Sequence, residues 1–295
     1  MELRQLRYFI KAKELLNFTA AAEALNISQS TLSQQIKQLE IELDTPLFNR
    51  IGKRITLTEA GALFYSYALQ TVNKANSGLT LLKDLGDLKT GDLSIGVTYG
   101  LRHLLTPALI AFLADYPNIS VKVVFGTSEE LHDKLIGLQL DLVLAFEEIV
   151  ADENLTYSLL FESPLCLVAA KNSPLSTRKS IDLKEISDLP IVLPAAGYST
   201  RKFVSDIFAK NNIHPQISVE INDIPTLLDL VKSGKWYTIL AKTTVAFDKE
   251  LAILSINTIK MTRRAMIITH QDAYQKKAAR YFLEKLTALV FHPTT

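Results

Sequence analysis

Cysteine is almost absent from this sequence, and histidine is sparse. The single cysteine, Cys166, excludes an intramolecular disulfide and any cysteine-rich metal site. It lies in the apolar run ESPLCLVAA, which is typical of a buried strand, so we interpret it as a structural thiol. The five histidines are scattered, and no two have the spacing of metal ligands. We therefore expect no metal and no cofactor.

A strong charge of one sign and a long hydrophobic run are also missing. The 32 basic and 31 acidic residues leave a formal net charge of +1, which argues against a wholly basic nucleic-acid coat but permits local patches. The N-terminal stretch MELRQLRYFIKAKELL has charges throughout and no signal-peptide core. No apolar run approaches the length of a membrane span. We expect a soluble cytoplasmic protein, and the 295 residues are enough for two domains.

The first part of the chain has the periodicity of three short helices. Apolar residues recur at helical spacing over residues 2–16, 19–25 and 28–43. We expect the small side chains of Ala22 and Ala24 to let the second and third helices cross closely. This pattern predicts a helix-turn-helix.

The third helix carries amides and hydroxyls on the side where a merely solvated helix would carry Glu and Lys. Such groups donate and accept hydrogen bonds toward base edges in a DNA major groove, and glutamine pairs bidentately with adenine. An ordinary polar surface is the alternative. We predict contacts with double-stranded DNA through a set of side chains that we call the reading surface: Gln29, Ser30, Thr31, Ser33, Gln34 and Lys37.

A basic hairpin is predicted directly after this helix. Pro46 ends the helical structure, and two short extended arms follow around Gly52. Arg50, Lys53 and Arg54 cluster in this segment. We predict a wing whose basic side chains contact phosphates beside the third helix, with an ordinary charged turn as the alternative.

A long helix is predicted next, over residues 59–87, with Thr58 as its cap. Its apolar side chains alternate in steps of three and four, which is the pattern of a coiled-coil seam. A helix of this kind beside a single DNA-reading unit favours a dimer that reads two half-sites. The seam consists of Tyr65, Ala68, Val72, Ala75, Leu79 and Leu82.

Beyond the long helix the pattern changes to alternating strands and helices. Such repeated units predict an open α/β sheet or a pair of them. The strands are predicted at 93–97, 121–125, 142–146, 165–169, 191–193, 217–220, 237–240 and 265–269. The helices are predicted at 102–116, 128–138, 200–212, 224–233 and 274–290.

Three loops that follow strands of this region contain hydroxyl side chains. Open α/β sheets bind ligands at the carboxyl ends of their strands, where helix N-termini offer free N–H groups. Each hydroxyl is by default an N-cap, but together they would form a donor-rich pocket suited to a small anion such as a carboxylate. Arg102 or Arg201 would add charge there or lie on the solvated surface. The loops contain Thr98, Tyr99 and Gly100, then Thr127 and Ser128, then Tyr198, Ser199 and Thr200.

Over essentially its full length the sequence resembles the LysR-type transcriptional regulators. The stretch LRYFIKAKELLNFTAAAEALNISQSTLSQQIKQLEIELDTPLFNR is similar to that family's N-terminal signature, and ITLTEAG to its continuation into a linker helix. The resemblance implies an N-terminal winged helix-turn-helix, a linker helix and a C-terminal periplasmic-binding-protein-like pair of α/β subdomains. It also implies a small-molecule effector between the subdomains, with the three loops facing one another and Phe146 nearby, and a dimer or tetramer of the chain.

The resemblance implies domain boundaries as well. They are 1–58 for the DNA-binding domain, 59–87 for the linker helix, 88–91 for a hinge and 92–295 for the effector-binding domain. Within the last, the first subdomain covers about 92–161 and 265–295 and the second about 162–264, with crossings near Glu162 and Arg264.

Two other classes of protein compete with a regulator, an enzyme and a cytoplasmic solute-binding protein, each with an attached helical domain. The sequence contains no nucleophile elbow, phosphate-binding loop or GxGxxG motif that would favour an enzyme. The N-terminal reading unit and the missing signal peptide speak against a solute-binding protein.

Overall fold

A computed structural model of the chain describes residues 1–51, 54–84, 90–147, 152–257 and 261–291. These residues divide into an N-terminal and a C-terminal unit. None of the helices in the described ranges combines the length and the apolar character that crossing a membrane requires.

The N-terminal unit consists of three short helices, a hairpin and one long helix. Asn17, Ser28 and Thr58 start three of these helices, and the side-chain oxygen of each accepts a hydrogen bond from a first-turn backbone N–H. Each such cap contributes about 1 kcal/mol to helix stability. The elements are α1 (Leu3–Leu15), α2 (Phe18–Ala24), α3 (Gln29–Glu42), β1 (Phe48–Ile51), β2 (Arg54–Leu57) and α4 (Glu59–Lys83). The predicted end of the long helix, residue 87, lies outside the described residues.

Phe9 of α1 lies at the centre of the core of this unit. Its ring centre is 5.4 Å from that of Phe48 in β1 and 5.6 Å from that of Phe64 in α4. Phe48 also meets Phe18 of α2 edge-on at 5.5 Å. Aromatic pairs of this geometry contribute about 0.5–1.5 kcal/mol beyond their buried area. One aromatic cluster therefore holds α1, α2, β1 and α4 together.

The contact between α2 and α3 uses small residues, as predicted, but not both of those predicted. Ala21 and Ala22 are buried, whereas Ala24 is exposed. The expectation for Ala24 is therefore wrong. Ala21 and Ala22 stand three and four residues after the buried Phe18 and so share its face of the helix, while Ala24 points away from it.

The apolar seam predicted on α4 is divided between two environments. Ala68 and Val72 are buried in the core that α1 forms with α4, so the prediction that they pair with a second copy of the chain is wrong. Farther along the helix, the side chains of Leu79 and Leu82 are 58% and 61% exposed. Tyr67 is also exposed, at 68%, and lies about 60° around the helix from Leu82. Apolar surface therefore remains on α4 outside its contact with α1.

The C-terminal unit contains six helices and ten strands within the described ranges. The helices are α5 (Arg102–Asp115), α6 (Ser128–Ile136), α7 (Ser199–Lys210), α8 (Ile224–Lys232), α9 (Lys242–Val245) and α10 (Lys277–Phe291). The strands are β3 (Gly91–Val97), β4 (Ile119–Phe125), β5 (Leu142–Phe146), β6 (Leu155–Ala170), β7 (Ser180–Asp182), β8 (Ile191–Pro194), β9 (Ile217–Ile221), β10 (Thr238–Ala241), β11 (Leu251–Asn257) and β12 (Thr262–His270). Short 3-10 helices lie at Tyr99–Leu101 and Leu183–Asp188.

Two groups of strands form two lobes of this unit. In the first lobe, β3 pairs in parallel with β4 and β5, which places the ends of these strands at one edge. In the second lobe, β8 pairs in parallel with β9, and Ile191 of β8 forms a bridge to Tyr237 just before β10. The ligand-binding edge expected of parallel strands is therefore present in both lobes.

The long strand β6 joins the lobes. Its first part pairs with β12, which also pairs with β5 of the first lobe, and its last part pairs with β10 and β11. The strand order is β4-β3-β5-β12-β6-β11-β7, with β10 also on β6. Glu162 and Arg264, where the chain was expected to cross between subdomains, are direct partners in the β6–β12 ladder.

All eight strands predicted for this unit are present, but β7, β11 and the first part of β6 were not predicted. Residues 155–164 of β6 contain Glu162, Ser163 and Pro164, which are uncommon in strands, and proline lacks the N–H that a ladder needs. Pro164 is accommodated opposite Thr262 at the start of β12. Tertiary pairing has thus overridden local propensity here.

Gly61 marks the closest approach of α4 to the segment before β1. A Cβ added there would lie 2.1 Å from the backbone oxygen of Leu47, and no side-chain rotation relieves a backbone contact. We expect Gly61→Ala to lower the free energy of unfolding by about 1–3 kcal/mol, the usual range for overpacking.

The matched control is Gly78→Ala on the same helix, where an added Cβ meets no atom within 4 Å. This variant should gain about 0.4–1 kcal/mol from helix propensity and a less flexible unfolded chain. Thermal melting followed by circular dichroism measures both changes. Equal melting temperatures for the two variants would contradict the close approach at Gly61.

Candidate functional site

Helix α3 turns an apolar side inward and a polar side outward. Leu32, Ile36 and Leu39 are fully buried. On the reading surface, Ser33 is half-buried and the other five side chains are exposed: Gln29, Ser30, Thr31, Gln34 and Lys37. The outer side of the helix therefore presents donors and acceptors of the kind that bind base edges.

The hydroxyls at the start of α3 also have a structural role. The Ser28 hydroxyl lies 2.8 Å from the hydroxyls of both Ser30 and Thr31, and it accepts a 3.1 Å hydrogen bond from the Thr31 backbone N–H. By contrast, Gln34 and Lys37 form no hydrogen bond or ion pair within the described part of the chain. Gln29 likewise forms none, so these three exposed side chains are the members of the reading surface that are most available to an outside partner.

Glu40 connects the hairpin to α3. Its carboxylate accepts hydrogen bonds from the backbone N–H groups of Leu47 at 2.8 Å and Phe48 at 3.1 Å, where β1 begins. A charged acceptor for two neighbouring donors gives strong, directional bonds. The start of the wing is thereby held against the last turns of the reading helix.

Two of the predicted basic residues of the wing, Arg50 and Arg54, belong to its two strands. The backbones of Arg50 and Arg54 belong to β1 and β2, where Arg50 stands opposite Ile55 and Arg54 opposite Ile51. Lys53 lies outside the described residues. The hairpin predicted around Gly52 is confirmed by the antiparallel pairing of its arms.

A small cavity of about 30 Å³ lies between the two lobes of the C-terminal unit. Seven of the nine residues predicted for the pocket line it: Thr98, Gly100, Ser128, Phe146, Tyr198, Ser199 and Thr200. The two others, Tyr99 and Thr127, lie beside it without lining it. The edge of each lobe therefore contributes to one site, although the predicted loops are far apart in the chain.

The hydroxyls around the cavity differ in what they bind within the chain. The Thr127 hydroxyl accepts from the Glu130 N–H at 3.3 Å, and the Glu130 carboxylate accepts from the Thr127 N–H at 3.0 Å, so Thr127 is an ordinary cap of α6. The next residue, Ser128, is 1% exposed, and its hydroxyl has no hydrogen-bond partner in the described residues. Burying an unpaired hydroxyl is unfavourable, which makes Ser128 a group in need of a partner.

The start of α7 leaves donors unpaired on the other side of the cavity. Its N-cap residue, Tyr198, makes no side-chain capping bond, and the Tyr198 hydroxyl instead donates to the Asn222 carbonyl. The first backbone N–H groups of a helix have no partners inside the helix. Ser199 and Thr200, in the first turn of α7, both line the cavity. Two helix N-termini, those of α6 and α7, therefore meet there.

No residue that lines this cavity carries a charged side chain. Arg201 donates to the Glu220 carboxylate at 2.6 Å and so is paired within its own lobe, while Arg102 lies outside the lining. The positive ends of helix dipoles attract anions by an amount typically below 2 kcal/mol, about 0.3–1 kcal/mol at exposed sites. An anion in this cavity would be held by N–H and hydroxyl donors rather than by an ion pair.

Thr244 is a lining residue that was not predicted from the sequence. Its hydroxyl donates to the Gly100 carbonyl at 3.1 Å, which links the second lobe to the first. A Cβ on Gly100 would lie 2.8 Å from the ring of Phe146 and 3.3 Å from the Thr244 hydroxyl, so glycine is required for this approach. Thr244 could have been found from the sequence, because it follows β10 closely and ligands bind at the carboxyl ends of such strands. The other unpredicted lining residues are Pro194, Ile224, Leu240 and Ala241.

Cys166 lacks the properties of a reactive thiol. It is 2% exposed, its Sγ–H donates to the Leu240 carbonyl at 3.4 Å, and burial raises its pKa to about 12. The thiol thus stays protonated at neutral pH, since reactivity needs the thiolate. Among the described residues, no three His, Cys, Asp or Glu side chains are grouped to hold a metal ion.

Two family models match the chain. The model described as "Bacterial regulatory helix-turn-helix protein, lysR family" matches residues 3–62. The model described as "LysR substrate binding domain" matches residues 86–290, which is more than half of the chain. The two matches correspond to the N-terminal and C-terminal units.

Individual proteins are similar to this chain over 70% of its length or more. A probable RuBisCO transcriptional regulator from Cyanophora paradoxa is 30% identical, over 97% of this chain and 91% of its own. The crystal structure of full-length CbnR complexed with its target DNA has a TM-score of 0.69 at 24% identity, covering 97% of this chain and 99% of that one. The regulatory domain of Synechocystis PCC6803 CcmR, in complex with 2-PG, has a TM-score of 0.63 at 20% identity, covering 70% and 100%. At these identities the two structures show a shared fold.

Proposed function

The chain belongs to the LysR family of bacterial regulatory helix-turn-helix proteins, and we propose that it is a DNA-binding transcriptional regulator controlled by a small anionic effector. The curated relatives are themselves transcriptional regulators. The observation that carries the effector part is the buried Ser128 hydroxyl, without a partner in the described residues, at a cavity where two helix N-termini meet.

The proposed DNA contacts come from α3 and the hairpin. Gln34 and Lys37 hydrogen-bond to base edges or phosphates, with Gln29, Ser30, Thr31 and Ser33 beside them on the reading surface. Arg50, Lys53 and Arg54 bind phosphates, which position the protein without reading sequence. The exposure of the α3 side chains and the Glu40 clamp on the hairpin support this assignment. That the solved CbnR structure contains its target DNA supports the same use of the fold.

The proposed effector is a small molecule with a carboxylate or a similar anionic group. Its oxygens accept from the hydroxyls of Ser128, Ser199 and Thr200 and from the N-terminal N–H groups of α6 and α7. Thr98, whose hydroxyl donates to the Leu144 carbonyl at 3.5 Å, lines the site beside them. The cavity volume of about 30 Å³ is about the volume that one water molecule occupies in the liquid. An effector therefore either places only its anionic group in this cavity or requires the lobes to move slightly apart. The 2-PG bound by the CcmR regulatory domain supports an effector of this class.

The effector pocket also includes Gly100, Phe146 and Tyr198, which line the cavity, and Tyr99 and Thr127, which support its edges. We assign to this regulator the domain boundaries that the family resemblance implies: 1–58, 59–87, 88–91 and 92–295. The two family-model matches, 3–62 and 86–290, support them. A cytoplasmic location follows from the proposed contact with DNA.

Self-association is proposed to use α4. Ala68 and Val72 are occupied by α1, so a second copy binds the apolar side chains that stay exposed, which include Leu79, Leu82 and Tyr67. Burying a leucine side chain contributes about 1.5–3 kcal/mol, so a few of these residues from each copy suffice for a dimer. A dimer presents two reading helices to two half-sites.

DNA recognition is tested by Gln34→Ala. If Gln34 reads a base, the variant should lose about 1–3 kcal/mol on an operator that the wild type selects from random DNA, and little on unrelated DNA. Gln35→Ala is the matched control, because this amide is next in the same helix but lies half-buried on its flank. Mobility-shift titrations measure both. Equal losses on both DNAs would show that Gln34 does not read sequence.

Effector binding is tested by Ser128→Ala with Thr127→Ala as its neighbour control. Removing a charge-assisted hydrogen bond should weaken effector binding by about 1.5–3 kcal/mol in Ser128→Ala. Its stability should be unchanged or higher, because an unpaired hydroxyl is removed, whereas Thr127→Ala should lose about 1 kcal/mol of stability as a cap.

Calorimetry of the full chain with a panel of small carboxylates and inorganic anions gives the affinities, and thermal melting gives the stabilities. If Ser128→Ala bound the anions like the wild type and melted like Thr127→Ala, Ser128 would be a structural residue and the pocket would lie elsewhere.

The assembly surface is tested by Leu79→Glu. An exposed side chain tolerates the change in the monomer, but a carboxylate in an apolar contact between copies costs several kcal/mol, so the dimer should dissociate. Ser66→Glu is the control, an exposed polar position on α4 that lies about 140° around the helix from Leu79. Light scattering over a range of protein concentrations reports the mass. An unchanged mass in Leu79→Glu would exclude this residue from the contact.

A further inference from the structure

A second and much larger cavity, of about 610 Å³, lies beside the first. The two cavities share Ile224 and Thr244 as lining residues. The hydrogen bond from the Thr244 hydroxyl to the Gly100 carbonyl stands at this boundary, because Gly100 lines the small cavity and its neighbour Tyr99 lines the large one. The volume is within the range of about 300–1,000 Å³ that is typical of small-molecule sites.

Most of the wall of the large cavity is apolar. Tyr99 and Pro107 come from the first lobe, and Ile224, Leu228 and Phe247 from the second. The Phe247 side chain is 80% exposed, although an aromatic ring gains more than most side chains from leaving water. Its ring contacts that of His103, with the ring centres 5.9 Å apart. An apolar molecule between these walls would remove the Phe247 ring from water.

The acidic groups at the cavity surround one lysine, Lys232. Lys232 lies 2.9 Å from the Asp248 carboxylate, 3.5 Å from that of Glu250 and 3.9 Å from that of Asp229. One ammonium offsets the charge of one of these three carboxylates, and Asp248, which lines the wall, is the nearest of them. A cationic ligand would have to compete with Lys232 for them.

Arg102 also lines the cavity, and its positive charge has no partner in the part of the chain that the structure describes. It is exposed and forms no hydrogen bond or ion pair with any residue that the structure describes. The neighbouring His103 contributes no charge at neutral pH, because burial lowers its pKa below the usual value. A guanidinium at the edge of an apolar cavity suits a carboxylate, which it binds through two parallel hydrogen bonds.

We infer that this cavity is a second ligand site, which binds an aromatic carboxylate. The aromatic part contacts the apolar walls that include Phe247 and Tyr99, and the carboxylate binds the Arg102 guanidinium. The ring system packs on Leu228, Pro107 and Phe247, and the carboxylate meets Arg102 at the opening. The site touches both lobes and is distinct from the small cavity that contains Ser128.

The test uses the full-length chain and 2-naphthoate as the probe, with the uncharged 2-naphthalenemethanol and the cationic 2-naphthylmethylamine for comparison. Isothermal titration calorimetry should show tightest binding for 2-naphthoate. Phe247→Ser should weaken its binding at least about tenfold, the factor that corresponds to 1.4 kcal/mol. Arg102→Gln should remove the preference for the carboxylate over the alcohol. Both side chains are exposed, so neither change threatens the fold.

Matched controls distinguish this site from nonspecific binding at other apolar or basic surfaces. Ile110→Ser changes an apolar side chain that is 68% exposed on α5 but does not line the cavity, and Arg280→Gln changes an exposed arginine on α10. Both should bind 2-naphthoate like the wild type. Ser128→Ala should do so as well, because it alters only the small cavity.

Three results would overturn the proposal. The first is no binding of 2-naphthoate, or equal binding in Phe247→Ser and the wild type. The second is a loss of binding in Ser128→Ala together with normal binding in Phe247→Ser, which would place the probe in the small cavity. The third is an affinity that falls as the protein concentration rises, which would mean that a second copy of the chain covers this surface.

Discussion

The cleft of the C-terminal unit depends on the pairing of β6 with β12, because these two strands carry the backbone from one lobe to the other. β12 lies between β5 and β6, and β6 continues past its end to pair with β10 and β11. Arg264, the third residue of β12, adds a side-chain bond of 2.9 Å to Glu147 near one end of this ladder. Any change in the angle between the lobes must therefore be taken up by a few residues of two strands, as in hinge motions generally.

Arg263 connects this ladder to the small cavity. Its side chain is buried, with the guanidinium carbon 5.7 Å from the ring centre of Phe146 and 4.8 Å from that of Phe203, and it donates to the Glu147 carbonyl at 2.7 Å. Phe146 belongs to the first lobe and lines the cavity, while Phe203 belongs to α7 of the second. A cation between one aromatic ring of each lobe stabilises their present arrangement. Phe146 therefore borders both the cavity and Arg263.

Helix starts serve two purposes in this chain. In the N-terminal unit, side chains of Asn17, Ser28 and Thr58 satisfy the first N–H groups of their helices, which keeps a small unit with a limited core stable. At α7 the cap residue Tyr198 leaves its helix start without such a bond. An uncapped helix start lowers stability and leaves donors for an anion. The same kind of backbone group therefore serves folding at the capped starts and is available for binding at α7.

Much of the local structure could be predicted from periodicity and cap residues. The three N-terminal helices, the hairpin and the eight predicted strands of the C-terminal unit all exist, because each follows from side chains within a few residues. The errors have non-local causes. Residues 155–164 form a strand because β12 pairs with them, although Glu162 and Pro164 disfavour one. Ala68 and Val72 face α1 rather than a second chain, and a heptad pattern alone does not say which partner a seam has.

The sequence by itself determined that hydroxyl-bearing loops follow the strands and that α3 has an outer surface of amides and hydroxyls. Only the tertiary structure decided which hydroxyl is a cap and which is not, since Thr127 and Ser128 are neighbours of similar chemistry. It also decided that Thr244 belongs to the cavity, through a bond to Gly100 that spans 144 positions of the chain. Contacts over such separations depend on how strands are ordered in a sheet, and the order arises from the packing of the whole unit rather than from any local stretch.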